Sequence, residues 1–236
     1  MNAESRLARL AGLLYLIVVV TGMFSLGYVP SRLVVHGDTQ ATLERMAAFE
    51  PLLRYGIASF LVEQVAFLLL AFALYRLLRA VDPTVAAVMV ALVVISVPLA
   101  LVSLVERLNL LSLLERSDVS HVSDQLMALV RASLDAYSHG LLITSVFWGL
   151  WLFPFGFLVM RSGLLPRFIG VFLMIGCVGY VVDVLCSILM PGYGDMGMSD
   201  YMTLPAAIGE IGSCLWLLFV GVRRPIGLPV QPSHPL

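Results

Sequence analysis

Glu63, Asp183 and Glu210 are carboxylates set in apolar runs, with no basic residue close to them in the same runs. An ionisable group at the centre of a bilayer costs about 2.5–3.5 kcal/mol on insertion scales, so three of them call for partners. Ionised, a buried carboxylate can hold a cation. Neutral, it can donate a proton, and removal from water favours that neutral form. Two carboxyls held in opposite states could protonate an apolar, isoprenoid-like substrate and stabilise the positive charge that forms, as a cyclase or isomerase would. A third reading is structural, with acids bonded to Tyr and Ser simply holding helices in register.

Each acid has polar companions at helical spacing. Tyr55, Ser59 and Glu63 recur every four residues with Gln64 adjacent, Tyr180, Asp183 and Ser187 follow Gly176, and Ser213 lies three residues after Glu210. Lipid cannot satisfy such stripes, so they turn into the bundle or toward a water-filled cavity. His139 begins one apolar run, and Glu106 with Arg107 closes another at the same end. The expected ligand-binding set is therefore Tyr55, Ser59, Gln64, His139, Tyr180, Ser187 and Ser213. Glu63, Asp183 and Glu210 are the catalytic set if the protein is an enzyme.

Other chemistry is poorly supported. The chain has no G-x-S-x-G, H-E-x-x-H or P-loop pattern. His36, His121, His139 and His234 are scattered, and Met190, Met196, Met198 and Met202 read as loop residues rather than as a copper site. No metal or cofactor is expected.

The elements that must position these residues follow from composition. Of 236 residues, 60% are hydrophobic and 12% charged, and the mean hydropathy is +0.98. Such a chain is an all-α integral membrane protein. Six runs can each cross about 30 Å: Leu7 to Tyr28, Leu52 to Leu78, Thr84 to Val105, Tyr137 to Met160, Leu165 to Met190 and Leu204 to Val222. The expected architecture is one six-helix transmembrane domain over residues 1–222, with a disordered, Pro-rich cytoplasmic tail over 223–236.

Orientation comes from arginine, because every basic residue except histidine is Arg. One side carries eight arginines against Glu4 and Asp82, or plus six. The other carries six arginines against ten acids, or minus four. The positive-inside rule puts the first side, with both termini, in the cytoplasm. The run starting at Leu7 lacks a small-residue cleavage site and reads as an uncleaved helix.

In the first external loop, Asp38 is the expected cap of a short helix from Thr39 to Phe49. In the second, from Glu106 to Ala136, Ser123 caps an amphipathic stretch bearing Leu126, Leu129 and Val130. Gly170, Gly176 and Gly179 in the fifth run, with Gly209 and Gly212 in the sixth, predict neighbouring helices. Counted from their shared loop, Asp183 and Glu210 come to one depth, roughly 9–11 Å below the outer end, and Glu63 to about 16 Å.

Several stretches together resemble a known family. Arg9-Leu-Ala-Gly-Leu-Leu-Tyr-Leu16, Ala71-Phe-Ala-Leu-Tyr-Arg-Leu-Leu78, Arg161-Ser-Gly-Leu-Leu-Pro-Arg167, Gly179-Tyr-Val-Val-Asp183 and Ile208-Gly-Glu210 before Leu215-Trp-Leu-Leu218 resemble the bacterial membrane proteins called domain of unknown function 4386. The resemblance runs from about Leu7 to Val222. It implies a six-helix membrane bundle and supplies no activity. In that family an Asp often follows a Gly-Ile-x-Ser stretch. Here Gly56-Ile-Ala-Ser59 is followed by Phe60, and Glu63 stands about one turn deeper.

Together these readings predict a multi-pass protein of the bacterial inner membrane with an outward-facing acidic pocket bounded by spans two to six. The pocket would bind or transport a small cation, a proton or a lipid-like ligand. The expected surroundings are the lipid bilayer and an apolar or lipid-like small molecule, with no nucleic acid.

Overall fold

The computed structural model describes residues 3–116 and 123–222. Nine α-helices and no β-strand occur among the described residues. They make six spans long and apolar enough to cross a membrane. The first comprises α1 (Ala3–Gly22), a π-helical turn (Met23–Tyr28) and α2 (Val29–Leu33). The surface helix α3 (Thr39–Ala48) precedes α4 (Glu50–Leu78) and α5 (Pro83–Arg116), the second and third spans. The fourth is α6 (Asp124–Leu150) with α7 (Leu152–Ser162), the fifth α8 (Arg167–Leu189), and the sixth α9 (Ser199–Leu215) with a second π-helical turn (Trp216–Val220).

Local chemistry sets these boundaries. Asp38 Oδ1 accepts a hydrogen bond from the Ala41 amide at 2.9 Å and starts α3. Pro154 cannot donate to the carbonyl four residues earlier, that of Leu150, and the fourth span divides there into α6 and α7. Pro30 likewise cannot bond to Leu26, and the turn before it widens so that the Val29 amide reaches Phe24.

The spans run longer than the apolar stretches alone predict. The amphipathic stretch expected in the second loop is the start of the fourth span, and Ser123 caps it as expected, its Oγ accepting from the Leu126 amide at 3.2 Å. Leu110 and Leu111 of α5 and Val130 of α6 are buried in one cluster with Val29, Leu33, Leu43 and Met46, so both helices continue outward as packed structure. Residues 117–122 and the tail from 223, including the expected disordered segment, lie outside the described residues.

Two apolar clusters stack along the bundle. With the sides named from the arginine distribution, the inner one is built on Tyr15, Leu70, Leu74, Trp151, Phe155 and Leu158; the outer one on Val29, Leu33, Met46, Phe60, Leu104 and Val130. On α4 the changeover falls between Phe60, in the outer cluster, and Phe67, in the inner one. Glu63 and Gln64 occupy that interval. These two polar residues therefore lie between two apolar cores.

The tightest helix contact joins α8 to α9. A Cβ added at Gly176 would lie 2.5 Å from the Ala206 Cα, and one at Gly209 would lie 2.9 Å from Leu173. At Gly179 it would run into the Met202 carbonyl oxygen. These contacts fix the register, with 173 opposite 209, 176 opposite 206 and 179 opposite 202. At the other end Gly12 of α1 meets the backbone of Leu217 and Leu218 in the same way, closing the ring of spans.

Gly176→Ala is expected to destabilise the bundle by about 1–3 kcal/mol through overpacking. Gly212→Ala should be tolerated, since its Cβ would meet Ile169 at an ordinary 3.6 Å. Thermal melts of the detergent-solubilised variants compare the two.

Candidate functional site

The α8–α9 register overturns the expected pairing of Asp183 with Glu210. Residue 183 stands opposite about 198, and residue 210 opposite about 172, so roughly 17 Å of helix axis separates them. The depth count failed because α9 begins at Ser199 and not at Leu204. Asp183 lies six residues before the end of α8, and its Oδ1 accepts from the buried Tyr193 hydroxyl at 3.0 Å. It ties the external turn Tyr193–Met196 to α8.

Glu63 and Glu210 come to the same cavity instead. The cavity has a volume of about 400 Å³. Spans one, two, four, five and six supply its walls and α5 contributes none, so the expected boundary of spans two to six is corrected: α1 and its π turn provide the longest wall. Met23, 67% exposed, and Ile211, 41% exposed, both belong to the lining. The cavity thus reaches the lateral surface of the bundle between the first and last spans, where a membrane protein meets lipid.

Each acid has one hydroxyl partner. Ser25, on the π turn, donates to Glu63 Oε2 at 3.0 Å, and Tyr15 of α1 donates to Glu210 Oε1 at 3.2 Å. The Glu63 carboxyl also lies against the backbone of α1: a Cβ at Gly22 would be 3.1 Å from Oε1. Gly22 and Tyr15 are seven residues apart on α1, so about 10 Å of axis separates the levels at which the two acids meet that helix. Glu63 Oε1 and Glu210 Oε2 accept no hydrogen bond among the described residues. No Arg, Lys or His lines the cavity.

Aromatic side chains complete the wall. Trp148 and Tyr180 are half-buried, while Tyr15, Phe67 and Trp151 are buried beside them. Phe67 meets Trp151 edge-on with centroids 5.1 Å apart, and Trp151 stacks on Phe155 at 5.3 Å. The helix break accompanying Pro154 puts Trp151 between α6 and α7, where these rings converge.

Most of the polar stripe falls elsewhere. Tyr180 lines the cavity, whereas Tyr55 is 68% exposed. A four-residue step turns an α-helix 40° past a full circle, so Tyr55 stands about 80° from Glu63 and faces outward. Ser59 donates to the Thr21 carbonyl at 3.2 Å, and Ser213 donates back to the Gly209 carbonyl at 2.8 Å. Both use their hydroxyls in packing. His139 and Ser187 are exposed at the outer end, beyond the cavity. Gln64 is wholly buried, lines no part of the cavity, and has neither amide atom hydrogen-bonded among the described residues. Sequence reasoning missed Tyr15, Ser25, Phe67, Trp148 and Trp151. Only the hydroxyls of Tyr15 and Ser25, polar groups in an apolar first run, carried a signal.

Arg107 belongs to a separate outer niche, its guanidinium over the Tyr137 ring at 4.1 Å. The niche encloses about 20 Å³ and touches Ser25 on the side away from the acidic cavity. It has room for about one water.

A bundle of six spans, each long and apolar enough to cross a membrane, defines an α-helical multi-pass membrane protein. The chain belongs to the family described as Domain of unknown function (DUF4386), which matches residues 10–221. An uncharacterized protein of Archaeoglobus fulgidus is 34% identical to it over 77 residues, 32% of this chain and 43% of that protein. The match thus spans less than half the length of that relative. No solved structure matches the chain.

Gln64→Leu removes a buried amide without breaking a hydrogen bond, so it should leave the thermal midpoint unchanged or raise it. A fall of several degrees would show that the amide has a partner in the membrane-embedded protein.

Proposed function

We propose that this protein binds a cation between Glu63 and Glu210, within the bilayer and in exchange for protons. One observation carries the reading: two carboxyls border a single cavity whose lining contains no basic side chain. Like charges in a low-dielectric site repel strongly, so their charge is balanced by protons or by a bound cation. The free oxygen on each carboxyl supports this, because each is an acceptor with no protein donor. Asp183, engaged by Tyr193, serves the external turn. The arginine bias supports both chain ends in the cytoplasm of a bacterial inner membrane.

The test is cation-driven proton release. Sodium, potassium, calcium and an organic cation are added in turn to purified protein in weak buffer. At least one should release protons from the wild type, with apparent affinity falling as pH is lowered because protons compete. Glu63→Gln combined with Glu210→Gln should abolish the release, while Asp183→Asn should preserve it. Release that survives in the double variant, or no release by any cation, ends the reading.

A second reading is favoured by the aromatic wall, since ring faces stabilise a carbocation as they do an ammonium. It makes the protein an isomerase or cyclase in which one carboxyl protonates a polyprenyl double bond and the other, as base, takes a proton from the resulting cation. Incubation with a polyprenyl lipid should then yield a product of unchanged mass and altered retention, lost in Glu63→Gln.

A further inference from the structure

Resting on the assignment of Glu63 and Glu210 as cation ligands, we infer that the cavity takes a lipophilic organic cation, with a charged centre and apolar arms, that enters sideways from the membrane.

Size is the first argument. A cavity of about 400 Å³ falls in the range of small-molecule sites. It is more than ten times the roughly 30 Å³ share of one water. A bare inorganic ion would touch few of its walls, and the walls offer few oxygens to replace lost hydration. Hard ions such as calcium take six to eight oxygen ligands. Here the oxygens are two carboxyls and the hydroxyls of Tyr15 and Tyr180.

The rest of the wall suits a weakly hydrated cation. Val18, Val19, Leu26 and Ile211 supply apolar contact, and the rings of Trp148 and Tyr180, half-buried, border the space. A cation over an aromatic face is attracted by its quadrupole, more so when desolvated, and quaternary ammonium sites use this arrangement. Carboxyl charge and aromatic surface thus act on the same centre, while the apolar residues hold the arms.

The route is the third argument. The lining reaches the surface at Met23 and Ile211, on the first and last spans. These helices touch closely at the opposite end, at Gly12 and Leu217–Leu218. A ligand partitioned into the bilayer meets this opening directly, whereas a hydrated ion would have to cross lipid to use it. The π turn assists, since it brings Met23 and Leu26 to the cavity while Ser25 bonds to Glu63.

Tetraphenylphosphonium is the probe, with triphenylphosphine oxide as an uncharged analogue. Calorimetry on detergent-solubilised protein should give saturable binding of the phosphonium with proton release, and no binding of the oxide. The Glu63→Gln, Glu210→Gln double variant should lose the phosphonium. Trp148→Leu should weaken it by about 2- to 30-fold, the span of cation–π contributions, and Trp148→Phe should restore most of the loss. If Trp148→Leu fails to fold, the comparison of Trp148→Phe with wild type and the oxide control still decide. Proton release by sodium or calcium without phosphonium binding overturns this inference and leaves the cation site standing. Equal binding of the oxide, or phosphonium binding that survives in the double variant, overturns it in favour of a merely apolar pocket. No proton release by any cation removes both.

Discussion

A carboxyl at bilayer depth must be given a hydroxyl, a cavity or both inside the protein, because lipid offers it nothing. Glu63 meets that constraint through Ser25 and Glu210 through Tyr15, and both hydroxyls come from the first span. The span therefore packs against α4 on one side and α9 on the other. Gly22 brings its backbone onto the Glu63 carboxyl, and Gly12 brings it onto Leu217 and Leu218. The helix that looks most like a plain anchor in composition organises the acidic site.

The layered interior follows from the same constraint. Glu63 and Gln64 of α4 lie between two apolar clusters, with Phe60 and Phe67 marking the outer and inner limits and Trp148 packing against both. Two prolines help by loosening the backbone at this layer. Pro30 accompanies the π turn that carries Ser25, and Pro154 accompanies the break that carries Trp151. π turns inside α-helices often mark functional sites, and here one bears the partner of a buried acid.

The legible parts of this fold are those encoded by local pattern. Runs of apolar residues disclose the six spans, Asp38 discloses the start of α3, and the glycines of α8 and α9 disclose their contact. The acids were visible because no basic residue stands close to them in those runs. Depth was not legible, since a run of hydropathy does not say where a helix begins: α9 starts at Ser199, five residues before its most apolar stretch. That shift separates Asp183 from Glu210. Facing was legible only over one or two turns. The stripe from Tyr55 to Glu63 rotates away from a common face because 3.6 residues per turn is not four.

By itself the sequence determined that this chain is a helical membrane protein, because apolar runs of about twenty residues satisfy their backbone in lipid by forming helices, and it determined that three acids would lie within those spans. Only the tertiary structure decided which acids share a space. That choice depends on helix register and on contacts between residues nearly 200 positions apart, such as Tyr15 with Glu210. It joined Glu63 to Glu210 through the first span and left Asp183 to the turn between α8 and α9, because close glycine packing fixes the height of each helix against its neighbour.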